Sequence, residues 1–231
     1  MVSVLRPGQR IHHIPGIGVS TSRRAVSSAA AAWWLAGGAP TPVAVYQPKG
    51  AASLATSYVN LVTPGTYDAA LGTAPTLDAS GWVFNGTTQY LDTGYVPNGT
   101  LAMLARFSNT DNSARCVVGV NGGAARFLFL YGSDGANECY YGNGGSAVKS
   151  PAIIDGVLAV AGGSCYRNGV GEGLSTSAWS GTNTYSIWIG RRNGASPAHF
   201  FNGKIQAVAI WGTSTGHATW MPLVMAACAL I

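Results

Sequence analysis

FFNGKIQAVAIWG, Phe200 to Gly212, is the stretch whose reading decides the fold. Asn202-Gly203 is a turn signal, Lys204 a polar step, and the residues that follow are almost all apolar. Alternation puts Ile205, Ala207, Ala209 and Trp211 on one face and Gln206, Val208 and Ile210 on the other. Both faces end apolar, so the second half of this strand is expected to be covered on both sides. The available cover is the chain end, HATWMPLVMAACALI, which is apolar and helix-prone except at Pro222, a residue tolerated in a first turn.

Upstream, the same pattern repeats. Asn-Gly pairs begin at Asn85, Asn98, Asn121, Asn143, Asn168, Asn193 and Asn202, with Asp134-Gly135 and Asp155-Gly156 besides. These dipeptides suit the positive φ angles of tight hairpins. Between them lie short strand-like runs such as RCVVGV, RFLFLYG, ECYYG and YSIWIGR. In LAMLARFS, Leu101, Met103, Ala105 and Phe107 alternate with Ala102, Leu104 and Arg106. Many short antiparallel strands in one body predict an all-β fold, an antiparallel β-sandwich of jelly-roll type, with an extended N-terminal arm and short helices near the termini.

The chain has 231 residues, of which only 9% are charged and 32 are glycine. Low charge with frequent aromatics argues against disorder. The net charge of +5 is unevenly placed. Residues 1–49 hold Arg6, Arg10, Arg23, Arg24 and Lys49 and no acid, whereas eight basic residues balance eight acidic ones from Gly50 onward. Residues 1–42 therefore read as a basic arm containing a short Ala/Trp helix, Ser27 to Ala36, and a Pro-rich link at 39–42. Residues 43–231 read as the sandwich. Arginines this sparse do not make a nucleic-acid stripe, and no apolar run is long enough to span a membrane. SRRAVSSAAAAWWLAGGAPT imitates a twin-arginine export signal, but it is short and carries Trp33-Trp34. Cys116, Cys139, Cys165 and Cys228 show no Cys-x-x-Cys spacing and leave their redox state open.

Four motifs in order resemble the laminin-G-like, concanavalin A-like sandwiches: WVFNGTTQYLDTG, LAMLARFS, SCYRNGVGEG, and SIWIGRRN with FFNGKIQAVAIWG. AVYQPKGAASLATSYVNLVTPGTYDAA is similar to the lead-in of such domains in bacteriophage structural proteins. The resemblance implies a jelly roll carried on a virion.

Enzymes of this architecture use E-x-D-x-x-E on one strand, with carboxylates flanking the scissile bond at about 5–9.5 Å. Here Glu138 and Glu172 have no acidic neighbour at i+2, and the aspartates stand singly beside turn residues. No metal spacing joins His12, His13, His199 and His217. The expectation is a non-enzymatic protein without metal or cofactor. It would be a capsid-decoration or tail-associated virion component that joins other virion proteins, or copies of itself, through Trp33, Trp34, Arg6, Arg10, Arg23 and Arg24. The alternative is a secreted glycan-binding, lectin-like module, with Tyr140, Tyr141 or Trp179 stacking on a sugar of a host surface.

Overall fold

The computed structural model describes residues 32–231 except Thr100, Thr110, 124–125, Ala178 and Ser180. Arg6, Arg10, Arg23, Arg24, His12, His13 and the beginning of the expected Ser27–Ala36 helix lie outside the described residues. Ala32 to Ile231 forms one compact unit.

In chain order the strands are β1 (Ala44–Tyr46), β2 (Ala70–Thr73), β3 (Thr76–Asp78), β4 (Gly81–Asn85), β5 (Tyr90–Asp92), β6 (Ala102–Asn109), β7 (Cys116–Asn121) and β8 (Phe127–Tyr131). They continue as β9 (Cys139–Asn143), β10 (Gly145–Lys149), β11 (Asp155–Ala161), β12 (Ser164–Arg167), β13 (Val170–Ser175), β14 (Trp188–Ile189), β15 (Arg192–Gly194) and β16 (Asn202–Trp211). Helix α1 (Leu54–Ser57) is a single turn and α2 (His217–Ala229) closes the chain. The strands make two eight-stranded sheets. The first runs β13-β12-β11-β6-β16-β4-β3 with β1 also on β16, and the second runs β10-β9-β8-β7-β14-β5-β2 with β15 also on β7. All pairings are antiparallel except β15 on β7. This is the expected all-β sandwich.

Between the sheets lies a core that includes Trp82, Phe84, Met103, Phe107, Leu130, Tyr141, Phe201 and Ile205. The β6 alternation holds as read: Leu101, Met103, Ala105 and Phe107 enter this core, while Ala102 and Leu104 turn to the opposite face of the first sheet. In β16 the alternation is corrected. The register against β6 slips between Ile205 and Ala207, so Gln206 is an extra residue and Ile205 joins Val208 and Ile210 between the sheets. Only Ala207, Ala209 and Trp211 face the other way. A bulge inserts one residue against one partner position and so resets a period of two.

That second face of β16 is covered by α2, as expected. Trp220, Met221, Val224, Met225 and Cys228 pack on Ala207, Ala209 and Trp211, and Trp211 donates its indole N–H to Pro40 O at 2.9 Å. Pro222 falls in the second turn of α2, not the first. It cannot supply the N–H that would pair with the carbonyl of Ala218, a residue exposed to solvent. At the far end Arg106 Nη1 donates to Cys228 O at 2.9 Å and also to Ile231 O, and Lys49 Nζ donates to Ile231 O at 2.6 Å. Cations at these carbonyls complement the negative end of the helix.

The Asn-Gly pairs do different jobs. Asn168-Gly169 makes a two-residue hairpin between β12 and β13, with φ +49° and +84°, the doubly positive geometry of a type I′ turn. Asn85-Gly86 instead ends β4 where the chain leaves for the other sheet, and Asn193 and Asn202 lie inside strands.

The Trp33–Gly38 segment is a 3-10 helix broken at Ala36 and Gly37, not an α-helix. Trp33 is 4% exposed and packs with the α2 residues against the first sheet. Its indole N–H donates to Gln47 Oε1 at 3.0 Å. Trp34 is half-buried against the same cluster and meets Trp33 edge-on at 5.6 Å.

Candidate functional site

The outward face of the second sheet carries an aromatic stripe. Strict alternation in β8 sends Leu128 and Leu130 inward and Phe127, Phe129 and Tyr131 outward. Register then lines up Cys116, Tyr131, Tyr140 and Val148 across β7, β8, β9 and β10. Phe127 stacks on Phe129 at 5.2 Å, and Phe129 meets Tyr131 at 5.2 Å and Tyr140 at 4.8 Å. Phe129 lies flat against the strand because its β9 partner is Gly142. A Cβ there would stand 2.8 Å from the ring. Edge-to-face and offset ring pairs of this kind add about 0.5–1.5 kcal/mol each beyond the area they bury.

The stripe floors a cleft of about 440 Å³, within the size range of small-ligand sites. Tyr131 and Tyr140 line it together with Ser146, Ala147 and Val148 of β10, Ala114 and Asp134, and Arg192 and His199. Arg192 opens β15 beside β7 and His199 follows in the connection to β16, the two tied by reciprocal backbone bonds between Arg192 and Ala198 of 3.1 and 3.2 Å. His199 adopts φ +59°, an uncommon conformation for a non-glycine residue. Its carbonyl accepts from Cys116 N at 3.0 Å, and its ring meets Tyr131 edge-on at 5.4 Å. Burial and the Arg192 charge hold His199 below the ordinary imidazole range. Asp134 Oδ1 accepts from Ala136 N at 2.7 Å and Glu138 N at 3.3 Å.

The Tyr131 side chain is 1% exposed, and its hydroxyl is buried with no hydrogen bond of ordinary geometry. Arg192 stands near enough to act on it electrostatically. Burial nonetheless pushes Tyr131 far above the ordinary tyrosine range, so the hydroxyl is a neutral donor. Burial likewise pushes up the neighbouring Cys116 thiol, which is no nucleophile.

Of the expected sugar-stacking residues, Tyr140 reaches the cleft. Tyr141 does not: it is fully buried between the sheets. Trp179 packs against the inter-sheet core with its indole N–H on Gly181 O at 3.0 Å. Sequence reading missed Tyr131, Arg192 and His199. The period-two aromatics Phe127, Phe129 and Tyr131 were a usable signal; the loop that delivers Arg192 and His199 left none.

The aspartates behave as turn formers. Asp78, Asp92 and Asp111 each accept from the amide two residues ahead, at 2.7, 2.8 and 2.9 Å. Glu172 pairs bidentately with Arg167 at 2.8 and 2.9 Å. Among the described residues no three His, Cys, Asp or Glu side chains are grouped to hold a metal, and no helix is long and apolar enough to cross a membrane.

No family model matches the sequence, and no curated protein matches it. Solved structures do share the fold. A sialidase of Trypanosoma rangeli in complex with sialic acid superposes with a TM-score of 0.56 at 15% identity, over 80% of this chain and 33% of the sialidase. Domain 4 of AbnA, a GH43 extracellular arabinanase of Geobacillus stearothermophilus, in complex with arabinotriose, gives 0.56 at 17% identity, over 82% of this chain and 98% of that domain. The chain thus spans about a third of the sialidase and nearly all of the arabinanase domain. Identities this low speak to the fold alone. They nonetheless correct the expectation of a non-enzymatic protein, because the solved structures that share this fold include two glycoside hydrolases, a sialidase and a GH43 arabinanase. That expectation rested on the missing E-x-D-x-x-E strand, which excludes one catalytic arrangement and not enzymes at large.

Proposed function

We propose that this chain is a carbohydrate-recognition domain that seats a sugar unit in the cleft over β8, β9 and β10. The observation that carries the reading is the lining itself. A pyranose or furanose ring presents an apolar C–H face and a rim of hydroxyls, and this cleft offers tyrosine rings beneath with Asp134, Ser146, Arg192 and His199 around them. Sites of this class combine an apolar floor with a few convergent polar groups. The arabinotriose complex of a domain with this fold supports it by analogy.

The test is a glycan array with the full chain, followed by calorimetric titration of the best ligand. Tyr140→Ala should weaken binding several-fold to about tenfold, in keeping with the roughly 0.5–1.5 kcal/mol that one ring contact adds beyond the area it buries. Tyr141→Phe, inside the core, should bind normally. Absence of any saccharide binding at millimolar ligand would end the proposal.

A second reading keeps one observation in its favour. Leu223 of α2 and Leu230 just past its end are 51% and 89% exposed, and Leu35 of the Trp33–Gly38 segment is exposed too; apolar surface of this kind suits a protein joined to others. On this reading the chain is a virion component of laminin-G-like type that displays the cleft toward a host glycan. Mass-spectrometric detection in purified particles, or its failure, decides it.

A further inference from the structure

Resting on the saccharide reading, we propose that the unit held in this cleft is a sugar acid, and that Arg192 is the seat of its carboxylate. Three observations converge on Arg192. First, it has no carboxylate partner. The ion pairs among the described residues are Arg115–Asp111, Arg167–Glu172 and Lys204–Asp78, and none involves Arg192. Asp134, the one acid on the cleft, already spends Oδ1 on two backbone amides. Second, the Tyr131 hydroxyl beside it is buried and makes no hydrogen bond of ordinary geometry, with only the weak sulfur of Cys116 and the Arg192 guanidinium near it. A buried polar group in that state is destabilising unless something completes it. A carboxylate would take the guanidinium fork on one side and the hydroxyl on the other, and charge-assisted bonds of this sort are about twice as strong as neutral ones. Third, Arg192 also lines a smaller cleft of about 220 Å³ with Asn121, Gly123, Gly194, Ala195 and Ser196. It therefore stands between two hollows, where an acidic unit within a longer glycan has room for a neighbour.

The alternatives are weaker. Arg191 lies over the Phe200 ring at 4.1 Å and donates to Pro197 O, so its charge is already engaged. Neutral sugars would satisfy Tyr140 and Asp134 but leave both Arg192 and the Tyr131 hydroxyl as they are.

The experiment uses the full chain and matched probes: trigalacturonate against its methyl ester, and 3′-sialyllactose against lactose, titrated at 50 and 300 mM salt. At least one acid should bind tenfold or more tightly than its neutral partner, with the difference shrinking at high salt. Arg192→Ala should abolish that preference, Arg192→Lys should restore part of it, and Tyr131→Phe should lower it several-fold. Thermal melts confirm that each variant is folded. If the neutral probes bind as tightly as the acids, or if Arg192→Ala keeps the preference, the sugar-acid assignment falls while the saccharide reading stands. If no probe and no array glycan binds, both fall.

Discussion

His199 and His217 show how burial at single residues becomes a property of the protein. Burial lowers both imidazoles, and His217 Nδ1 is hydrogen-bonded to the Tyr166 hydroxyl at 2.7 Å. An unfolded chain takes up these protons near pH 6.5, whereas the folded one resists until lower pH. The unfolded state then binds more protons, so the stability tied to these groups is whole above about pH 6.5 and is lost as pH falls through the depressed folded values. Melting temperature should decline from pH 7.5 to 5. A His199→Gln, His217→Gln double variant should decline less steeply; equal slopes would show that other groups govern the acid limb. Phe129→Ala tests the aromatic floor. It removes a ring that is 2% exposed and in contact with three others, so urea unfolding should register a loss of about 3–5 kcal/mol.

At the scale of elements, the bulge in β16 has the largest consequence. Because Gln206 is supernumerary, deleting it would leave Ile205 and Ala207 opposite the adjacent β6 residues Phe107 and Arg106 and keep Ile205, Val208 and Ile210 on the core face. An Ala inserted between Val208 and Ala209 would instead turn Ala209, Ile210 and Trp211 onto the wrong sides. We expect the deletion and Gln206→Ala to keep cooperative unfolding, and the insertion to abolish it. An insertion variant with a native melt, or a deletion variant that fails to fold, would refute the register argument. The Asn168-Gly169 hairpin gives a milder case. Gly169→Ala places a Cβ at φ +84° and should cost about 1 kcal/mol by chemical denaturation.

For the whole molecule, the boundary of the domain is the telling feature. The sequence divides naturally at the Pro-rich link, yet the compact unit begins at Ala32, and Trp33 sits under α2 with its indole on Gln47. Trp211 in turn bonds Pro40. A chain beginning at Ala32 should therefore be more stable than one beginning at Val43 by about 3–5 kcal/mol, the usual penalty for removing a buried tryptophan. Equal melting temperatures for the two would show that the Trp33–Pro40 contacts contribute nothing.

Much of this architecture was legible along the chain. Apolar alternation in 101–107, turn dipeptides every ten to twenty residues and an apolar chain end are local patterns, and local patterns suffice to specify strands, hairpins and a covering helix. Even the division of labour between Tyr140 and Tyr141 follows from a period of two. What escaped depends on where strands lie beside one another. Gln206 looks like any other residue of an alternating run until β6 is set against it, because a bulge is defined by a partner strand. Trp33 resembles an external anchor until α2, nearly two hundred residues away, closes over it. Arg192 and His199 share a cleft with Tyr131 and Tyr140 because β15 and the connection after it are laid beside β7, next to a hairpin from another part of the chain. Such proximities are set by the packing of the two sheets, and no short window of sequence carries them.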